Sequence, residues 1–230
     1  MKKLTTATAI TTAIFFSSCA SKFSPEQQAQ LTTLNVSTPS YGQDAYKNPI
    51  GSADMNNSTA IMAAGGGIAG ALVGQLVVGG IAANQRSGFN KQYGDVAEDA
   101  KKSIPKNLAT SLEKSNESAI NSIPQFRGKI KNFSTNELKT EIVSYGYKRV
   151  GKSDSKILMT PYINGKITFT INGSKVINSI PISAQAHGTN AGGHEITNYL
   201  TNKSLAHSDF TTTCEKFSAN VKTLIESKFK

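Results

Sequence analysis

Residues 156–186 read KILMTPYINGKITFTINGSKVINSIPISAQA, and the fold turns on how this stretch is divided. It is rich in Ile, Val, Thr, Tyr and Phe, residues that suit a pleated and half-buried surface. Two Asn-Gly pairs, Asn164-Gly165 and Asn172-Gly173, interrupt it. Asn-Gly between alternating apolar residues is the usual sequence of a two-residue hairpin turn, because both turn positions need positive φ. The reading is therefore a three-stranded meander: Lys156 to Ile163, Lys166 to Ile171, and Val176 to Ala186. In the first hairpin Leu158, Thr160 and Tyr162 would oppose Ile171, Phe169 and Ile167. A strict two-residue loop at the second would set Asn178 against Ile167. Pro181 places the third strand at an edge, where a missing N–H is tolerated.

Helices are expected on either side of the meander. Phe210, Cys214, Phe217, Val221, Leu224 and Ile225 form one continuous helical stripe. Upstream, Pro105 suits the first position of a helix; Leu108, Leu112, Ala119, Ile120 and Ile123 follow at helical spacing, and Pro124 stops it. Ser134 and Glu137 have capping-box spacing, with Phe133 and Leu138 placed as a hydrophobic staple. Leu138, Ile142 and Val143 would give that helix its apolar face, and Gly146 would end it. The expected class is α+β: a small antiparallel β-meander covered by helices, filling residues 105–230 and folding alone as one domain.

Ahead of this domain the chain changes character several times. Residues 1–19, MKKLTTATAITTAIFFSSC, pair a Lys2-Lys3 n-region with a short apolar stretch and small residues before Cys19. This leader resembles the lipobox of bacterial lipoproteins, although Phe16 stands where Leu is usual. The resemblance implies cleavage after residue 18 and acylation of Cys19 with diacylglycerol and palmitate-type chains. Anchoring in a cell-envelope membrane follows; in a Gram-negative host, Ala20 in place of Asp implies the outer membrane, facing the periplasm. With Cys19 acylated, Cys214 has no intramolecular disulfide partner.

Residues 19–58 are polar and Pro-punctuated and read as a flexible tether, in which Leu31 to Val36 is a β-prone patch able to join a sheet. Residues 59–84 include the uncharged run AIMAAGGGIAGALVGQLVVGGIAA at 60–83, with Gly66, Gly70 and Gly74 on one helical face. This segment resembles the glycine-zipper segments of bacterial envelope proteins. The resemblance implies membrane association and a homo-oligomer, and a bent hairpin or associated helices suit Gln75 better than a lone spanning helix. Residues 85–104 read as a second linker.

The formal charge is +10, of which Lys2 and Lys3 supply two, leaving +8 on the chain from Cys19 onward. The lysines are scattered, and no aromatic-plus-Arg pattern for stacking bases accompanies them, so no nucleic-acid partner is expected. Few groups carry chemistry. His187 and His194 bracket the glycine-rich HGTNAGGH run, with Glu195, His207 and Cys214 further on. Their spacing matches no compact zinc pattern, so the expectation is solvated histidines on a mobile loop, with no metal, no cofactor and no catalytic residue. Cys214 falls on the apolar stripe, where a thiol packs as a small hydrophobe. The expected function is a non-enzymatic envelope lipoprotein that self-associates and offers its domain to an envelope protein partner. A pore built on the glycine-zipper helices is the alternative, and a metal-dependent periplasmic enzyme the second. The layout is similar in design to conjugal surface-exclusion lipoproteins.

Overall fold

The computed structural model describes residues 22–47, 97–150, 158–188 and 192–230. Cys19, Gly66, Gly70 and Gly74 lie outside the described residues. The α+β class holds: helices accompany a multi-stranded sheet, and no helix among the described residues is long and apolar enough to cross a membrane.

Two long strands make the sheet's centre. Strand β4 is Glu137–Val150 and β5 is Leu158–Ile171; they pair antiparallel from Glu137 opposite Thr170 to Val150 opposite Leu158. The helix expected from Ser134 to Gly146 is thus a strand. Leu138 and Ile142 are four apart, a spacing that satisfies helical and strand periods alike, but Thr140 is buried between them and Lys139 and Glu141 are exposed. That alternation has period two. Phe133 is 93% exposed and staples nothing. The Ser134 hydroxyl accepts from the Asn136 amide and donates to the Thr33 carbonyl, so it closes a turn rather than a helix end.

The first Asn-Gly pair is also not a turn. Strand β5 runs straight through it, with Asn164 opposite Ser144 and Gly165 opposite Ile142. Met159, Ile163, Ile167, Phe169 and Ile171 alternate along the buried face of this one strand. Gly165 lacks positive φ; what it supplies is space. A Cβ there would stand 2.8 Å from the Glu141 carbonyl oxygen and 2.9 Å from Cζ of Phe217. A bulge at Val143 re-phases β4 against this strand.

The second Asn-Gly pair behaves as the sequence indicates. Asn172 and Gly173 have φ of 47° and 78°, and Ile171 faces Ser174 across the turn into β6, Ser174–Gln185. The register then slips, so that Ile180 rather than Asn178 opposes Ile167; Ser179, at φ 54°, absorbs part of the irregularity. Strand β6 is terminal in the sheet order, and Pro181 sits on that edge as expected.

The other edge is covered by the segment read as a tether. Ser24 caps helix α1, Pro25–Gln30, through a capping box with Gln27. Three short strands follow, β1 Asn35–Val36, β2 Ser40–Tyr41 and β3 Tyr46–Lys47, each parallel to β4 at successive places along its length. The pairing capacity read in Leu31 to Val36 is realised here. Phe23, Leu31, Leu34 and Val36 are buried in the common core. The tether expectation for 19–58 therefore fails over 22–47, where polar composition concealed a handful of well-placed apolar residues. The core expected within residues 105–230 also takes in side chains from this segment.

The expected linker at 85–104 likewise ends in structure: α2, Ala97–Ser103, buries Ala100 completely. Helix α3, Leu108–Asn121, begins three residues after Pro105, so that proline precedes the helix instead of opening it. Leu108, Leu112, Asn116 and Ile120 face inward, and Pro124 opens a 3₁₀ turn, Pro124–Phe126. After β6 come β7, His194–Glu195, helix α4, Ile196–Thr201, and the long α5, Lys203–Glu226, whose stripe is the one expected. Helices α3 and α5 lie together over the sheet. Between them Ser218 donates to Asn116 Oδ1 (2.8 Å), and Asn116 donates to Thr140 on β4 (3.3 Å), a buried polar chain with both ends partnered.

Candidate functional site

The site forms where the edge beside β5 is interrupted. Strand β6 leaves the edge at Gln185, opposite Tyr162, and the Ala186 amide still reaches the Pro161 carbonyl. Strand β7 rejoins the same edge with His194 opposite Met159. The chain thus leaves β5 beside Pro161 and rejoins it beside Met159, two positions along the same strand, and this brings His187 and His194 together. Their rings meet edge to face with centroids 5.6 Å apart. Two glycines make the return possible. Gly192 and Gly193 have φ of 83° and 126°; a Cβ on Gly193 would meet Val150 at 2.5 Å, and one on Gly192 would press His187 Nδ1 at 3.0 Å.

Helix α5 supplies the third group. Asp209 lies on its buried stripe, three residues after Ala206 and four before Thr213. Its carboxylate oxygen Oδ2 is 2.8 Å from His187 Nε2 and accepts from the Tyr199 hydroxyl at 2.7 Å. The Asp209 side chain is 10% exposed and that of His187 28%. Thr213 fixes the helix turn by donating to the Asp209 carbonyl, and the His187 amide donates to Thr160 Oγ1. Behind these groups stands an aromatic wall. Tyr147 lies 4.8 Å from Tyr199 and meets Phe210 at 5.4 Å, and His194 packs edge-on against Tyr199. Burial, then the hydrogen bond to Asp209 and its charge, push the Tyr199 hydroxyl well above its ordinary range, so it stays a protonated donor. Burial pushes Tyr147 up to about 12, although its hydrogen bond to Ser103 pulls the other way.

His187, His194 and Asp209 each offer one donor atom, and these three atoms all lie within 4.8 Å of one another. The histidines are therefore partly buried and partnered rather than solvated. The companions considered in the sequence do not join them: His207 is exposed on α5, Cys214 is buried on its stripe, and Glu195 lies in β7 outside the donor cluster. The missed member did leave a signal. Asp209 falls at a core spacing of an amphipathic helix, and an acid there must find a partner. Tyr199 carried no comparable signal.

Chemically, the arrangement is a hydrogen-bonded imidazole–carboxylate–phenol set with a second imidazole beside it. Among the described residues, His187 ring nitrogens hydrogen-bond no hydroxyl or thiol nucleophile, so the triad geometry of acyl transfer is not assembled there. The chain matches no family model, no curated protein and no solved structure.

Proposed function

We propose that this protein is a non-enzymatic lipoprotein of the bacterial cell envelope, held by an acylated Cys19, self-associating through Gly66, Gly70 and Gly74 and presenting its α+β domain to an envelope protein partner. The observation that carries the reading is the leader ending in Cys19, with a docked chain beginning only three residues later. Lys22 already donates to the main-chain oxygen of Lys230, and the Phe23 amide bonds the Lys228 carbonyl at 2.9 Å. Three residues span at most about 11 Å. An acylated Cys19 thus holds this end of the domain against the lipid surface, where a long tether would let it roam.

The surface at that end suits the position. Phe23 packs on Phe229 and Phe229 on Phe126, which brings Arg127 to the same region as Lys22 and Lys230. Near an anionic bilayer each such cation contributes about 1 kcal/mol. The flanks of the glycine-rich segment bear on how it would enter a membrane. Tyr46 on β3 and Lys101 on α2 are in cation–π contact at 5.5 Å. A segment whose flanks are pinned to one body enters and leaves a bilayer from the same side, which favours the bent hairpin over a single crossing.

Metabolic labelling with an alkynyl palmitate analogue, followed by envelope fractionation, tests this proposal. Wild type takes up label and sediments with membranes, whereas Cys19→Ala takes up none and leaves the membrane fraction or stays unprocessed. Absence of label in wild type, with the variant fractionating identically, overturns it.

A further inference from the structure

We propose that His187, His194 and Asp209 form a binding site for one divalent transition-metal ion of the zinc class. The inference rests on this cluster alone and is independent of the lipid anchor. Three successive parts of the chain deliver one donor each: the residues just after β6, the start of β7 and the buried face of α5. Donors that share a zinc ion at about 2.0–2.2 Å in tetrahedral geometry stand roughly 3.3 Å from one another. Here His187 Nε2 and Asp209 Oδ2 are 2.8 Å apart, and the whole set lies within 4.8 Å, so rotation of the half-buried His194 closes the remaining gap.

The surroundings are those of a held site. Metal-bound carboxylates and imidazoles are oriented by outer hydrogen bonds. Tyr199 holds Asp209 Oδ2, Thr213 fixes the backbone beneath Asp209, and Thr160 fixes the backbone of His187. The donor set defines the ion. Two imidazoles and a single carboxylate suit zinc, cobalt, nickel or ferrous iron, whereas magnesium and calcium need a predominantly oxygen shell. Three protein donors leave one position for water or for a donor from another molecule. A bound ion would tie His187 and His194 to α5 and neutralise the buried carboxylate.

The test uses the untagged full chain, purified in detergent, stripped with EDTA and titrated with Co²⁺ and then Zn²⁺. The expected result is one Co²⁺ per chain with the visible d–d bands of tetrahedral coordination, no thiolate charge-transfer band, and displacement by Zn²⁺. His194→Gln should weaken binding at least about a hundredfold, and Asp209→Asn likewise, while Cys214→Ser and His207→Gln bind as wild type. Should Asp209→Asn fail to fold, His194→Gln decides, because His194 contributes ring contacts and no buried charge. As a second readout, the Tm of wild type should rise with Zn²⁺ concentration and that of His194→Gln should not. No uptake by the stripped wild type, uptake unchanged in His194→Gln, or preferential binding of Mg²⁺ overturns the proposal.

Discussion

Gly165→Ala separates a central strand from a hairpin turn at the first Asn-Gly pair. Strand β5 passes through this glycine, and its two neighbours leave no room for a methyl group: the Glu141 carbonyl oxygen would lie 2.8 Å from the new carbon and the Phe217 ring 2.9 Å. Carbon atoms pack best at about 3.5–4.0 Å, so the ring, fully buried on α5, must retreat by more than half an ångström. Overpacking of this kind costs about 1–3 kcal/mol. The reduced freedom of the unfolded chain returns up to about 1 kcal/mol, leaving a net loss anywhere from roughly 0 to 3 kcal/mol. A turn glycine with positive φ loses a similar amount on the same change, so the size of the effect cannot discriminate. Coupling can. Phe217→Leu shortens the side chain that the methyl group strikes, and Gly165→Ala should therefore cost about 1 kcal/mol less in that background. The carbonyl contact persists, so the relief is partial. Gly173→Ala is the internal control: Gly173 has φ 78° with nothing within 4 Å of its absent Cβ, and its cost should be the same in the wild-type and Phe217→Leu backgrounds. Urea unfolding of the two double-mutant cycles, at constant m-value, measures both couplings. Additivity of Gly165→Ala with Phe217→Leu within about 0.5 kcal/mol would refute the strand placement of Gly165.

Other outcomes follow from individual side chains. His187→Ala leaves the buried Asp209 carboxylate short of a partner and should cost about 1.5–3 kcal/mol in chemical denaturation, whereas His207→Ala, on an exposed helix face, should stay within about 0.5 kcal/mol. Burial, with Glu215 nearby, pushes the Cys214 thiol from 9.0 up to about 12; thiolate at pH 8 is then about a thousandfold scarcer than in the unfolded chain, and reaction with a thiol reagent should be slow until denaturant is added. The sign for stability follows: the thiol's contribution is fully present below pH 9 and declines as the unfolded chain ionises between about 9 and 12, so alkaline melting should occur earlier in wild type than in Cys214→Ala when each is referred to its own neutral-pH Tm. Leu138→Ala, at a completely buried strand position, should lose about 2–4 kcal/mol of unfolding free energy. Replacing Gly70 and Gly74 with Leu should lower the oligomer fraction on native gels without releasing the protein from membranes.

What the sequence disclosed depended on whether a pattern had one physical reading or two. The stripe from Phe210 to Ile225 fits only a helix, and Asn172-Gly173 is followed by Ser174, able to begin a strand facing Ile171; both hold. Leu138 and Ile142 fit helix and strand equally, and the capping box at Ser134 tipped the balance wrongly. Its residues serve a different junction: Asn136 donates to the Gln30 and Thr33 carbonyls and accepts from the Asn172 amide. Local grammar cannot reveal bonds made to residues a hundred positions away. Asn164-Gly165 failed for a related reason, since the glycine answers to Phe217 on the last helix. At the site, both histidines were visible as candidates, and the group that organises them, Asp209, showed only as an acid at a core spacing of its helix, with no local pattern to link it to residues on another element.

The N-terminal segment changes how the whole chain is understood. Without it, β4 would present the unpaired edge of a fourteen-residue strand to solvent, and such an edge recruits other strands. Three short parallel pairings cover it instead, and Gly146 shows how closely: a Cβ there would lie 2.6 Å from the Lys47 carbonyl oxygen. Parallel pairing needs a long crossover before the partner strand, and everything from 48 to 136 serves as that connection, the glycine-rich stretch included. Residues 35–47 are therefore the sheet's edge guard, and in sequence the glycine-rich stretch lies within the connection that returns the chain to β4. Anchor, apolar segment and domain were separable in sequence as consecutive modules. In three dimensions the first described residues and the end of the chain beyond the last helix bond to each other, beside the stacked rings of Phe23, Phe126 and Phe229.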